Sequence, residues 1–107
     1  MRFFIVILSL LSAGALAEST PDIAPDRQQE LMHLLRQDCG SCHGMTLKGG
    51  LGPALTPDVM AIRPIEYLYH TVREGHAGTP MPPWKGLLSD DEIMWIVTQL
   101  KNGVPEK

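Results

Sequence analysis

Cys39-Gly40-Ser41-Cys42-His43 is the stretch from which the rest of this 107-residue chain is read. Two thiols stand three positions apart and an imidazole follows at once, the C-x-x-C-H pattern of covalent c-type haem attachment. Chemistry explains the spacing. Each thiol adds across one vinyl group of the same porphyrin to give a thioether, and two intervening residues let both thiols reach. The histidine then comes under the ring, where its imidazole binds the iron as proximal ligand. Two other uses of a C-x-x-C pair fit less well. A thioredoxin-like dithiol sits beside a βαβ pattern, which this sequence lacks. A structural zinc site wants four thiolate or imidazole ligands in paired clusters, and Cys39 and Cys42 are the only cysteines. The pattern predicts one covalently bound haem c, held by Cys39 and Cys42, with His43 on the iron.

Upstream, residues 1–17 have the layout of a secretory signal peptide. Arg2 gives a short positive start, Phe3 to Leu11 is almost wholly apolar, and Ala15-Leu16-Ala17 is an A-x-A cleavage site. Cleavage after Ala17 would leave a folded domain of residues 18–107. The apolar run is too short to span a bilayer comfortably, so no membrane anchor is expected after cleavage. Export to the periplasm suits the cofactor, because cytochromes c are assembled on the outer side of the bacterial inner membrane.

The exported part is short enough for one domain. Removing Arg2 from the 9 basic residues leaves 8 against 12 acidic ones, a formal charge of −4. No basic stripe or lysine run points to nucleic acid. A core drawn from so short a chain is modest, and a covalent haem would enlarge and staple it.

Helical signals flank the motif. Asp26 is expected as an N-cap with Gln29 three residues on, as in a capping box. Leu31, Leu34, Leu35 and Cys39 then recur at helical spacing, so the haem would hang from the last turn of the first helix. Residues 44–55 are rich in glycine and read as loop. Thr56-Pro57 opens a short helix. Pro64 opens another, with Tyr67, Leu68 and Val72 as apolar contacts and Gly75 at its end. Residues 76–87 read again as loop. Ser89 and Glu92 form a capping box for the last helix, in which Ile93, Ile96, Val97 and Leu100 make the buried stripe and Gly103 the stop. The expected fold is all-α, about four helices around the haem. Long loops without structure of their own are usually functional, and both lie where a haem needs walls.

The second axial position separates electron transfer from ligand chemistry. Met32 on the first helix and Met94 beside the stripe of the last read as core or surface filler, Met45 is too close in sequence to His43 to cross the ring, and Met60 falls in the short helix at the haem edge. Met81 sits in Gly78-Thr79-Pro80-Met81-Pro82-Pro83-Trp84. Prolines on both sides fix φ and remove backbone donors, so a soft thioether is offered on a stiff strap. Met81 is the expected ligand, a choice that favours ferrous iron. His76 is the rival and would give a bis-histidine haem of lower potential.

These residues resemble class I cytochrome c along the whole length from the first helix to the last. Cys39 to His43, Gly52-Pro53-Ala54-Leu55 and Gly78 to Pro82 match that family's three stations in order. The resemblance implies that Pro53 offers its backbone carbonyl to the unliganded nitrogen of His43, fixing the ring and raising its basicity. It also implies that the first and last helices cross, with Leu31 or Leu35 against Ile93, Trp95 or Ile96. A closer likeness, over residues 38–57 and 78–84, is to the small monohaem cytochrome c-55X group of denitrifying bacteria. That group implies a periplasmic carrier of single electrons, not an enzyme. It implies donation to cytochrome cd nitrite reductase as a monomer. The alternatives are an electron-accepting role in maturation of that enzyme's d-type haem, or a general shuttle to a terminal oxidase or peroxidase. Trp84 is expected to cover the haem or to dock a partner, or simply to pack. Leu47, Leu51, Ala77, Pro82, Pro83 and Trp84 are expected to form a small apolar patch flanked by Lys48 and Lys85.

Overall fold

The computed structural model describes residues 22–105. The signal peptide and its cleavage after Ala17 lie outside the described residues. Helices α1 (Pro25–Leu34), α2 (Gly40–His43), α3 (Pro57–Ala61), α4 (Ile65–Glu74) and α5 (Asp90–Asn102) form, and among the described residues there is no strand. A single π-helical turn, Leu35–Cys39, joins α1 to α2 without a break. The two thus run as one helical body, so the four expected helices stand. The π turn begins at the buried Leu35 and ends at Cys39, and such widened turns are frequent at functional sites.

The N-cap of the first helix lies two residues earlier than expected. Pro25 stands at its first position and Ala24 is the N-cap, so Asp26 falls inside the first turn and caps nothing. Proline wins because its φ is already helical and it has no N–H to satisfy. The reach back is made by Gln28, whose Nε2 donates to Ile23 O at 2.8 Å, and not by Gln29. Thr56 does hold the N-cap of α3 but makes no capping bond; its hydroxyl turns to the Asp58 side chain and holds that carboxyl below its ordinary range. At Ser89 both halves of the capping box are present: Glu92 N donates to Ser89 Oγ at 3.1 Å and Ser89 N to Glu92 Oε1 at 3.0 Å. The Arg27 guanidinium also bonds the Glu92 carboxylate, tying α1 to α5.

The core is the stripe of α5 set against the first helical body. Leu31, Leu35, Ile93, Ile96 and Val97 are fully buried, and Leu47, Met60, Leu68, Leu88 and Leu100 complete the cluster. Each such side chain contributes about 1.5–3 kcal/mol relative to exposure. The crossing of first and last helices is therefore built largely from the residues expected of it. Tyr67 departs from expectation: it is exposed at the surface of α4 while Leu68 carries the packing. Leu47 departs too. It is buried in the core and is not on the apolar patch, because Leu55 N donates to Leu47 O and folds the glycine-rich loop over it.

Candidate cofactor site

One cavity of about 700 Å³ opens between the first helical body, the two long loops and α3 to α5. Cys39, Cys42 and His43 line it, as do Pro53, Met81 and Trp84. Six of the residues expected at the site are thus brought together from three segments far apart in sequence.

The proximal side is built by the end of α2 and the loop that follows. Gly49 N donates to His43 O at 2.8 Å and Gly52 N to Cys42 O at 2.7 Å, which satisfies carbonyls left over at the helix end. The loop brings Pro53 O to 2.7 Å from His43 Nδ1. Gly52 permits that approach: a Cβ there would stand 2.7 Å from both Nδ1 and Cε1 of the ring. With Nδ1 engaged by Pro53, Nε2 is left for a metal. Burial pushes the Cys39 thiol up to about 11, with the Asp38 charge and Cys42 adding to the effect.

The strap is pinned to the end of α4 at both of its ends. Gly75 reverses the chain, and His76 N donates to Met81 O at 3.2 Å. Thr79 Oγ1 donates to His76 O at 2.7 Å, and Met81 N lies 3.3 Å from the same hydroxyl. Beyond Met81, Trp84 N donates to Val72 O at 3.1 Å and Lys85 N to Arg73 O at 3.3 Å. Prolines on either side of Met81 fix the backbone between these anchors. Among the described methionines only Met60 and Met81 line the cavity. Met60 is a core residue on α3, whereas Met81 is half-buried and lies outside the core cluster. Met45 is 61% exposed and lines no part of this cavity. His76 lines the cavity from an exposed position, while His33 and His70 do not.

Trp84 is half-buried, packing against the core and lining the cavity at once. Lys48 and Lys85 are exposed and line no part of it. Lys85 Nζ is paired with Glu74 Oε2 at 2.8 Å. Leu51, 77% exposed, and Pro82 sit at the mouth. Tyr67 lines the cavity too, and so does Arg63, a residue that no sequence signal had marked. Arg63 arrives there only through the turn between α3 and α4.

The donor set and walls suit a haem. Two thiols and an imidazole stand together, a thioether is presented by a separate rigid segment, and the remaining walls are mostly aliphatic and aromatic. The comparisons with known proteins agree. The family described as cytochrome C oxidase, cbb3-type, subunit III matches residues 26–99. Cytochrome c55X of Pseudomonas aeruginosa is 56% identical over 88 residues, covering 82% of this chain and 72% of that protein. The chain belongs to the cytochrome c family, among its small c55X members. The solved structure of the c-type cytochrome NirC matches with a TM-score of 0.73 and 55% identity, over 75% of this chain and 94% of that one. Dihydro-heme d1 dehydrogenase NirN, solved in complex with DHE, matches with a TM-score of 0.62 and 29% identity over 70% of this chain but only 16% of its own length. This chain is therefore an all-α class I cytochrome c, a haem protein of electron transfer. Among the described residues no helix is long and apolar enough to cross a membrane.

Proposed function

We propose that this chain is a periplasmic carrier of single electrons and not an enzyme. In this reading Cys39 and Cys42 hold one haem c, His43 and Met81 ligate its iron, and Pro53 orients His43. A haem iron bound there supplies one reversible electron. The chain's own work is to hold both axial side chains on rigid supports and to exclude water. The observation that carries the reading is the pairing of a braced His43 with a methionine on a doubly pinned strap, facing one cavity. Two protein ligands leave no open position for substrate, and small reorganisation suits fast exchange. Soft sulfur also favours the ferrous state and a higher potential.

Cytochrome cd nitrite reductase is the proposed acceptor. Support comes from the likeness to c55X proteins and from an apolar mouth carrying Leu51 and Pro82. Redox encounters use small interfaces, where a few charges steer the approach more than they hold the complex. Stopped-flow mixing of the ferrous protein with that reductase tests this. Rates should depend on ionic strength, and charge reversal at Lys48 or Lys85 should change them while leaving the haem spectrum alone. Negligible transfer to the reductase beside rapid transfer to a terminal oxidase or peroxidase would replace this reading with a general shuttle.

The likeness to a segment of NirN favours a second reading, in which the chain accepts electrons during maturation of a d-type haem. A dehydrogenation yields two electrons, so two copies of a one-electron carrier would be reduced per turnover. Mixing the ferric protein with a NirN-type dehydrogenase holding its dihydro-haem substrate should then give two ferrous haems per product formed.

A further inference from the structure

Arg63 occupies the turn between α3 and α4, on the wall of the cavity. Its Nε is buried and has no hydrogen-bond partner. Its guanidinium lies 5.5 Å from the ring centroid of Tyr67, which lines the same cavity. Among the described residues no carboxylate pairs with it. A guanidinium stays charged in a protein; Arg63 as a whole is half-buried, and a donor such as its Nε, shut off from water, is costly to leave unpaired. No lysine and no second arginine lines the cavity.

The backbone beneath Arg63 is clamped from another helix. Lys101 on α5 donates from Nζ to Met60 O at 3.1 Å and to Arg63 O at 2.5 Å. Met60 O also accepts from Arg63 N at 3.2 Å. These carbonyls lie at and just beyond the end of α3, where the regular helical pairing runs out and carbonyls need further donors. The ammonium thus locks the turn from which the Arg63 side chain departs.

We propose that Lys101 is a positioning residue: by clamping the carbonyls of Met60 and Arg63, it holds the Arg63 guanidinium at the cavity wall as counter-ion to a carboxylate of the bound haem. The inference rests on the haem-binding reading above. Haem brings two propionate carboxylates and no other anion into such a cavity. A guanidinium beside one of them offsets negative charge felt at the iron. Ferrous iron is then favoured and the midpoint potential rises. Lys101 acts through the turn, with two of its three donors engaged by carbonyls.

Spectroelectrochemistry of the holoprotein tests this with Arg63→Gln, Lys101→Met, the double variant and Lys101→Arg, each melted in parallel. Arg63→Gln should lower the midpoint. Lys101→Met should lower it in the same direction by less, and Lys101→Arg, which can still donate to both carbonyls, should restore it. The double variant should fall no further than Arg63→Gln alone. A direct through-space effect of the Lys101 charge would instead add to that of Arg63. Additive shifts overturn the proposal. So does a Lys101→Met that melts earlier at an unchanged midpoint, because that is a brace and nothing more. An unchanged midpoint in Arg63→Gln overturns it as well. Should Arg63→Gln not fold, the two lysine variants carry the test: a midpoint lowered in Lys101→Met and restored in Lys101→Arg supports it, and equal midpoints refute it. Wild type lacking covalent haem would fail the haem reading instead, and would be recognised before any variant is compared.

Discussion

Replacing Gly75 with alanine should displace the strap that carries Met81, and replacing Gly78 should not. Both glycines have left-handed φ, +74° and +77°. At Gly75 ψ is −179°, a combination that costs any other residue about 1–3 kcal/mol. A Cβ there would lie 2.7 Å from Met81 O and 2.9 Å from both Pro82 C and Pro83 N. Relaxed contact needs roughly 3.5 Å, so the strap has to retreat by about 0.6–0.8 Å. All three atoms belong to backbone stiffened by proline, and no side chain can swing aside. Overpacking of that kind costs about 1–3 kcal/mol. A Cβ at Gly78 meets nothing within 4 Å, which leaves only the left-handed penalty of about 1–2 kcal/mol. Gly75→Ala is therefore expected to be less stable than Gly78→Ala by about 2–3 kcal/mol, or roughly 10–20 °C in Tm for a domain of this size. The retreat also stretches the His76 N to Met81 O bond, already 3.2 Å long. The assay pairs thermal melts with the near-infrared sulfur–iron absorption of the oxidised holoprotein. That band should weaken or vanish in Gly75→Ala and survive in Gly78→Ala. Equal melts and equal bands in the two variants would refute the reasoning.

Met81→Ala should abolish the same band, lower the midpoint potential and let carbon monoxide bind the reduced protein; an intact band would assign the ligand to Met60, and a wild type without the band would assign it to His76. Gly52→Ala places a Cβ 2.7 Å from the His43 ring, so it should break the bond to Pro53 O at a cost of about 2–4 kcal/mol, read as a lower Tm of the holoprotein. At Glu92, the bonded Arg27 guanidinium, followed by the Ser89 N–H, holds the carboxyl below its ordinary 4.5. A carboxyl depressed by folding stabilises the protein above its unfolded pKa and loses that contribution as pH falls through the folded value. Denaturant unfolding should thus show wild type ahead of Glu92→Gln at pH 7, with the gap closing below pH 4.5; a gap that stays constant would contradict the Arg27 pairing.

Much of the site was legible because its chemistry is local in sequence. Cys39 to His43 needs only adjacent positions, and the strap announces itself through prolines flanking one methionine. The capping box of Ser89 and Glu92 and the stripe Ile93, Ile96, Val97 and Leu100 follow from helix geometry alone. What escaped was tertiary. The π turn Leu35–Cys39 leaves no trace in an otherwise helical pattern. Leu47 looked like a loop residue on a docking patch, and only the bond from Leu55 N to its carbonyl shows why it is buried. Asp26 is not the cap, because Pro25 takes the first helical position and leaves the N-cap to Ala24. Arg63 and Lys101 are ordinary basic residues in sequence; their partnership with the end of α3 exists only when α5 packs there.

Cys39, Cys42 and His43 all line one cavity together with Met81, where both thiols are expected to fix one haem. Intact-mass spectrometry of the protein secreted by a host that assembles cytochromes c tests this most directly, after acid–acetone extraction and under denaturing conditions. The expected mass is that of residues 18–107 plus one haem, with no thiol left to alkylate. A bare polypeptide mass with two alkylatable thiols would contradict it.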